Sequence, residues 1–322
     1  DIREFFPTPV VQVMQKDALE RLNLQQLLLE PEMLEAVEAD VHLVATLVSL
    51  NRVIPERSRD TARQVVRKLV DDLMERLRGP MEQAVRGSLD RSRRTRRPRH
   101  TDIDWLRTIR ANLRHYQPEH GTVVPETLIG YARRRRQALQ EVVLCVDQSG
   151  SMASSVVYAS IFAAVLASLP SLATRLVVFD TAVVDLTELL ADPVEVLFAT
   201  QLGGGTDINR AVAYCQQGIQ RPETTTFVLI TDLCEGGSGG ELVKRAASLV
   251  ASGVNLVTLL ALNDDGAAYY DQRMAARFAA LGSPTFACTP DRFPDLMAAA
   301  LQREDLNQWA AEREIVTARA GD

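Results

Sequence analysis

Three short stretches of this chain place oxygen-bearing side chains at the ends of apolar runs. In "CVDQSGSM", residues 145–152, Asp147, Ser149 and Ser151 alternate directly after the apolar "EVVL". In "GGGTDI", residues 203–208, Thr206 follows three glycines at the start of a helical pattern. In "LITDLCEGG", residues 229–237, Asp232 closes another apolar run. Together they offer two carboxylates and three hydroxyls, hard oxygens with no histidine or thiolate among them. Such a set suits Mg²⁺, with Mn²⁺ or Ca²⁺ as second choices, rather than zinc or copper. The plainer reading is structural: Ser149 and Ser151 cap the helix that begins near residue 152, and Asp232 bonds a turn.

Other chemistries fit these residues less well. "DQSGS" is not the G-x-S-x-G turn that presents a nucleophilic serine. "GGGTDI" has neither the lysine of a phosphate-binding loop nor the glycine spacing of a dinucleotide site. An aspartate-nucleophile phosphatase wants a second aspartate two residues after Asp147, where Ser149 stands. No candidate base is paired with a nucleophile, so no catalytic residue is assigned and the expectation is a binding protein, not an enzyme. The four histidines, His42, His100, His115 and His120, all precede the stretches above and read as surface residues.

The elements that must position these residues have two kinds of pattern. Up to about residue 135 the period is helical. In "ERSRDTARQVVRKLVDDLMERLRG" the residues Ala62, Val65, Val66, Leu69, Val70, Leu73 and Leu77 form one stripe, and Gly79-Pro80 is expected to stop it. An earlier stretch repeats the spacing with Val37, Val41, Val44 and Val48. A third, "TDIDWLRTIRANLRHY", opens on a Thr/Asp cap and sets Ile103, Leu106, Ile109 and Leu113 on one side. After residue 140, short apolar runs alternate with helical stretches. "EVVLCVD", "RLVVFD", "TTFVLITD", "VNLVTLLAL" and "PTFACT" are apolar on consecutive positions, as strands covered on both faces are. "AVVDLT" reads as an antiparallel edge strand, and the tail from about 303 as one more helix. The fold class is α/β: a mostly parallel sheet with helices on both faces, preceded by an all-α region. In an open sheet of that kind ligands gather at the carboxyl ends of the strands, where all three polar stretches fall.

Asp-x-Ser-x-Ser after a first strand, a threonine in a glycine-rich loop and an aspartate ending a later strand resemble the metal-ion-dependent adhesion site of von Willebrand factor A domains. Asp147, Ser149, Ser151, Thr206 and Asp232 match all five positions in order. The resemblance covers roughly residues 138 to 301 and implies a Rossmann-like sheet domain. It also implies an ion held by the hydroxyls directly and by the aspartates directly or through water. One position stays open for a carboxylate from a partner protein. The flanking "TDIDWLRTIRANLRHY", "VVPETLIGYARRRRQ" and "FACTPDRFPDLMAAAL" are similar to bacterial cytoplasmic proteins of the CoxE and ViaA type. That likeness implies work beside a MoxR-class AAA+ ATPase, chaperone-like remodelling or metal-cofactor maturation of client proteins, and a cytoplasmic location. The organisation expected is a helical region over 1–135 with an arginine-rich linker about 90–100, the metal-site domain over 136–302 and a final helix over 303–322.

Composition sets outer bounds. With 322 residues, 46% hydrophobic and 24% charged, the chain is an ordinary globular protein. No apolar run suggests a membrane span, and "DIREFFPTPVVQV" lacks the basic start and apolar stretch of a signal peptide. Cys145, Cys215, Cys234 and Cys288 are widely spaced and read as small buried hydrophobes in a reducing compartment. The net charge of −6 conceals an asymmetry: residues 91–136 hold thirteen arginines against four acidic residues. The segment suits an acidic protein partner or the chain's own acidic surface. The competing reading, an RNA-binding protein of the Ro autoantigen type, rests on the same arginines. Few aromatics stand ready to stack bases beside them, and the whole chain is acidic.

Overall fold

The computed structural model describes residues 40–51, 53–87, 94–95, 100, 103–131, 140–200, 204–264 and 269–318. The continuous apolar runs fold as buried strands: β1 (Gln140–Asp147), β2 (Leu172–Phe179), β4 (Thr225–Ile230), β5 (Asn255–Leu262) and β6 (Thr285–Cys288), with the short β3 (Val183–Asp185) at one edge. They form one six-stranded sheet in the order β6-β5-β4-β1-β2-β3. All neighbours are parallel except β3, which pairs antiparallel with β2. Strand β1 lies in the middle. From it the chain moves outward through β2 and β3, then returns to the other side of β1 as β4 and continues outward through β5 and β6. The order therefore reverses between β1 and β4, and their adjacent carboxyl ends open a crevice.

Alternation along β1 divides the interior into two layers. Val142, Leu144 and Val146 join one buried cluster, and Val143 and Cys145 join the other. Against the first layer packs α4 (Ala153–Ala167), buried over nearly all its length. Residues 150–167 have the length and apolarity of a membrane-spanning helix, yet most of that stretch is buried inside the domain. Helices α6 (Ile208–Gly218), α7 (Gly239–Ala251) and α8 (Gln272–Ala280) cover the second layer through Val212, Leu242, Leu249 and Phe278. Helix α5 (Pro193–Ala199) begins on an Asp192 cap with proline in its first turn, where the missing N–H costs nothing.

The N-terminal region is helical and lies on the first layer. Asp40 caps α1 (Val41–Ser49) by accepting a 2.7 Å bond from the Leu43 amide. Val44, Leu47 and Val48 of α1 share one apolar cluster with Val66, Val70 and Met81 of α2 (Glu56–Gly87) and with α4 and α9 (Phe293–Gln302). Arg67 Nη2 reaches Asp192 at 2.8 Å, Arg63 pairs with Glu195 and lies over the Phe198 ring, and Asn51 donates to the Phe198 carbonyl. Gly79-Pro80 does not stop α2: the helix runs through to Gly87. Proline removes one intrahelical bond there, but Met81 and Val85 beyond it are buried, and that burial holds the extra turns in place. The short α3 (Trp105–Ala111) follows, with two minimal two-residue ladders, Arg94–Thr95 on Gly130–Tyr131 and Tyr116–Gln117 on Thr122–Val123.

The C-terminal stretch is less helical than its pattern predicts. Helix α10 covers only Leu306–Ala311, with Trp309 buried beside Phe286. Glu314 then takes φ 57°, and Thr317 bridges antiparallel to Phe286 on β6. The tail closes the outer edge of the sheet, which lowers its hazard as an unpaired edge.

Candidate metal centre

Asp147 is the last residue of β1, and its side chain has no exposure to solvent. Its Oδ1 accepts from the Ser149 amide at 2.8 Å, a turn that throws the chain out of the strand and into α4. Its Oδ2 accepts from the Thr231 hydroxyl at 2.7 Å, which ties the end of β1 to the end of β4. Beyond the turn, Ser149 Oγ lies 3.2 Å from Ser151 Oγ, and Ser151 Oγ donates to Asp232 Oδ2 at 2.8 Å. Four of the five residues singled out by sequence thus form one connected group across the β1–β4 crevice. Neither serine makes a side-chain capping bond to the helix that follows, so the plain capping reading does not describe them.

Asp232 is 6% exposed and is fixed from several sides. Its Oδ1 accepts from the Cys234 amide at 3.0 Å, and its carbonyl accepts from the Asp271 amide at 2.9 Å. Between them Leu233, buried, is held at φ 62°, a left-handed conformation that a branched residue adopts only at a cost. Strain of this kind is tolerated where the surroundings determine it, and here the Thr231 hydroxyl, which accepts from the Leu233 amide, does so.

Thr206 arrives from a different loop. Gly204 takes φ 107°, open to glycine alone, and turns the chain beside Asp180. Gly203 lies outside the described residues. The Thr206 carbonyl accepts from the Gly236 amide at 2.9 Å, and a side chain at Gly236 would put its Cβ 2.7 Å from that oxygen. Glu235 completes the latch. Its Oε2 accepts from the Ile208 and Asn209 amides at the start of α6, and its Oε1 accepts from Gly237. Thr206 is therefore anchored through backbone to the loop that carries Asp232.

The electrostatics are one-sided. Burial raises the Asp147 carboxyl above its ordinary range; bonds from Ser149 and Thr231 oppose the rise, and the facing Asp232 adds to it. Glu235 is likewise pushed up by burial, against its backbone donors. The Cys234 thiol, desolvated and beside Asp232, is raised to about 11, so it stays protonated at neutral pH. Among the described residues no lysine, arginine or histidine pairs with Asp147 or Asp232. Two buried carboxylates joined by hydroxyls and lacking a described cation are a donor set that a hard dication fits. Among the described residues no group of three or more His, Cys, Asp or Glu side chains gathers around one point, here or elsewhere; this site offers two carboxylates and otherwise hydroxyls.

Sequence reasoning singled out Asp147, Ser149, Ser151, Thr206 and Asp232 as candidates but missed Thr231, Glu235 and Gly236, which hold their loops together. Thr231 stands next to Asp232 and resembles any strand threonine. Glu235 and Gly236 act on a loop nearly thirty positions away, for which spacing carries no signal.

Comparison with known proteins places the chain. The model of a family described as VWA domain containing CoxE-like protein matches residues 75–297. The uncharacterized protein YehP of Escherichia coli (strain K12) is 36% identical over 302 residues, covering 94% of this chain and 80% of its own. Similar solved structures include an aerotolerance-related membrane protein from Bacteroides fragilis NCTC 9343, at 18% identity and a TM-score of 0.39, covering 52% of this chain and 98% of that one. A von Willebrand factor type A structure from Catenulispora acidiphila has 14% identity and a TM-score of 0.39, covering 54% of this chain and 44% of its own. The family match over most of the chain and the long alignment to YehP agree: this chain belongs to the CoxE-like proteins that contain a VWA domain.

Proposed function

We propose that Asp147, Ser149, Ser151, Thr206 and Asp232 hold a Mg²⁺ ion and that the chain is a non-enzymatic adaptor that captures an acidic residue of a partner protein through it. The observation that carries this reading is the pair of buried carboxylates, Asp147 and Asp232, linked through Ser149 and Ser151 and without a described cationic partner. A buried carboxylate that is not neutralised is costly, and a dication removes the cost. When bound, the ion supplies an electrophilic position that a carboxylate can complete. The protein's part is to keep the hydroxyls neutral and the anionic donors few, so that a further carboxylate is still attracted. The CoxE-like family favours a MoxR-class AAA+ ATPase as that partner and chaperone-like remodelling or cofactor maturation of a client as the outcome.

Titration calorimetry with Mg²⁺ tests the site. The wild-type chain is expected to bind one ion and Asp147→Ala none, with the far-UV circular dichroism of both retained. Co-purification with a MoxR-class ATPase from the same genome tests the partner, and chelation or Asp147→Ala is expected to abolish it. Association that survives both treatments would overturn the metal-dependent reading.

A further inference from the structure

Helix α3 buries polar side chains and exposes apolar ones, the reverse of an amphipathic helix laid on a core. Thr108 and the capping Asn112 stand one turn apart and are both buried. Thr108 Oγ1 donates to the Ile129 carbonyl and accepts from the Ile129 amide, both at 3.0 Å. Asn112 Oδ1 accepts from the Glu126 and Thr127 amides, and its Nδ2 donates to the Thr108 and Thr127 carbonyls. Both side chains are thereby fully bonded, and the clamp decides which side of the helix faces out. On that side Trp105 is 50% exposed, Leu106 62%, Ile109 44% and Leu113 59%. At about 100° per residue the four fall within roughly 100° of the circumference, a contiguous stripe about two turns long.

The charges beside the stripe decide what fits it. Arg110 borders Leu106, and Arg107 and Arg114 follow on the same side, while the Thr108–Asn112 clamp closes the other. Arg114 is taken up by Glu126 at 3.2 Å, and Arg107 is met by Asp104 only at 3.6 Å. Arg110, exposed, makes no ion pair among the described residues. A rigid apolar stripe with cations along one side is complementary to an apolar stripe with carboxylates along one side. We propose that this face docks an amphipathic helix of a partner protein. Aliphatic residues of that helix, spaced i, i+3 or i+4 and i+7, cover Trp105, Leu106, Ile109 and Leu113, and a flanking carboxylate reaches Arg110. A second copy laid antiparallel on the same face would set arginine against arginine. A lipid surface fits less well, because residues 103–131 hold three arginines against three carboxylates and offer anionic headgroups no net attraction. The proposal neither uses nor requires the candidate metal centre.

Trp105 reports the docking. The chain has two tryptophans, and Trp309 is buried, so the difference between the wild-type chain and its Trp105→Phe variant isolates the Trp105 emission. The probe is a designed amphipathic peptide of about 18 residues, long enough to form a helix, with leucines in one stripe and glutamates along its side. Its twin carries lysine in place of glutamate. The glutamate peptide is expected to shift Trp105 to the blue, to shield it from acrylamide, and to bind about tenfold more tightly than the lysine twin. Arg110→Glu is expected to reverse that order, and Leu106→Glu to abolish binding of both peptides, while unchanged Trp309 emission shows that each variant is folded. Should Arg110→Glu fail to fold, Arg110→Ala is expected to erase the preference. No binding of the glutamate peptide, equal affinity for the twins, or an order unmoved by substitution at Arg110 would overturn the proposal. A shift produced by phosphatidylglycerol vesicles and not by the peptide would overturn it in favour of a lipid surface. A shift in the chain alone that follows its own concentration would overturn it in favour of a second copy.

Discussion

Asp147 and Asp232 could be read from sequence because each follows an apolar run and because Asp-x-Ser-x-Ser alternates as an extended turn must. Glu235 could not, since its amide partners on α6 lie in a separate loop. Yet it holds the Thr206 loop to the Asp232 loop, and its removal should act on both stability and ion binding. Glu235→Ala leaves three amides without their acceptor, two of them at a helix start. Loss of bonds to a charged group at a helix N-terminus is worth about 1–3 kcal/mol. Urea unfolding should show a loss of that size, and calorimetry should show Mg²⁺ affinity falling about tenfold, the equivalent of about 1.4 kcal/mol. Stability lost with ion affinity intact would make Glu235 a helix cap and nothing more. What hid Glu235 and Thr231 is that they act through hydrogen bonds across the crevice, and such partners exist only once the strands are adjacent.

At the scale of elements, the strands were the most legible part. Consecutive apolar residues in β1, β2, β4 and β5 admit few readings other than a sheet covered on both faces, and all six expected strands form. The short helices α5 and α8 are not evident from sequence; α5 is only Pro193–Ala199 and takes its place from packing on α4 and α2 rather than from a long stripe. Gly79-Pro80 misled for a physical reason. Local propensity says stop, but burial of Met81 and Val85 outweighs it. The penalty is still present in the folded helix, and it can be removed. Nothing lies within 4 Å of a Cβ added at Gly79, and Pro80 is exposed. Gly79→Ala should therefore raise stability by about 0.5–1 kcal/mol, and Pro80→Ala by up to about 3 kcal/mol. Urea midpoints measure both. A loss of stability in either would mean that Gly79 and Pro80 serve the packing of the last turns of α2 in a way their exposure does not show.

The sequence divides the chain into a helical part and a sheet part, but the apolar contacts do not respect that division. Val44, Val48, Val66, Val70 and Met81 belong to the same buried cluster as Leu144, Phe162 and Met297. The ionic links between the two parts among the described residues, Arg63–Glu195 and Arg67–Asp192, are solvent-exposed pairs that water and salt screen strongly. Apolar packing on α4 and α9 must then supply most of the coupling. Met81, with no exposure, stands where α2 passes beyond Pro80, so its truncation removes contact between the parts without touching the candidate metal site. Met81→Ala should cost about 2–5 kcal/mol. More telling is how the loss appears. If one core serves both parts, far-UV circular dichroism and Trp309 fluorescence, read in a Trp105→Phe background, should fall together in a single urea transition at a lower midpoint. If α1 and α2 were an appendage, Met81→Ala would separate the signals, helicity falling first while Trp309, buried beside Phe286 on the sheet, kept its native emission. Coincident transitions would also constrain the proposed adaptor. A partner that pulled on the helices would then strain α4, whose first turn follows Ser149 and Ser151, and so act through the core on the loop proposed to bind the ion.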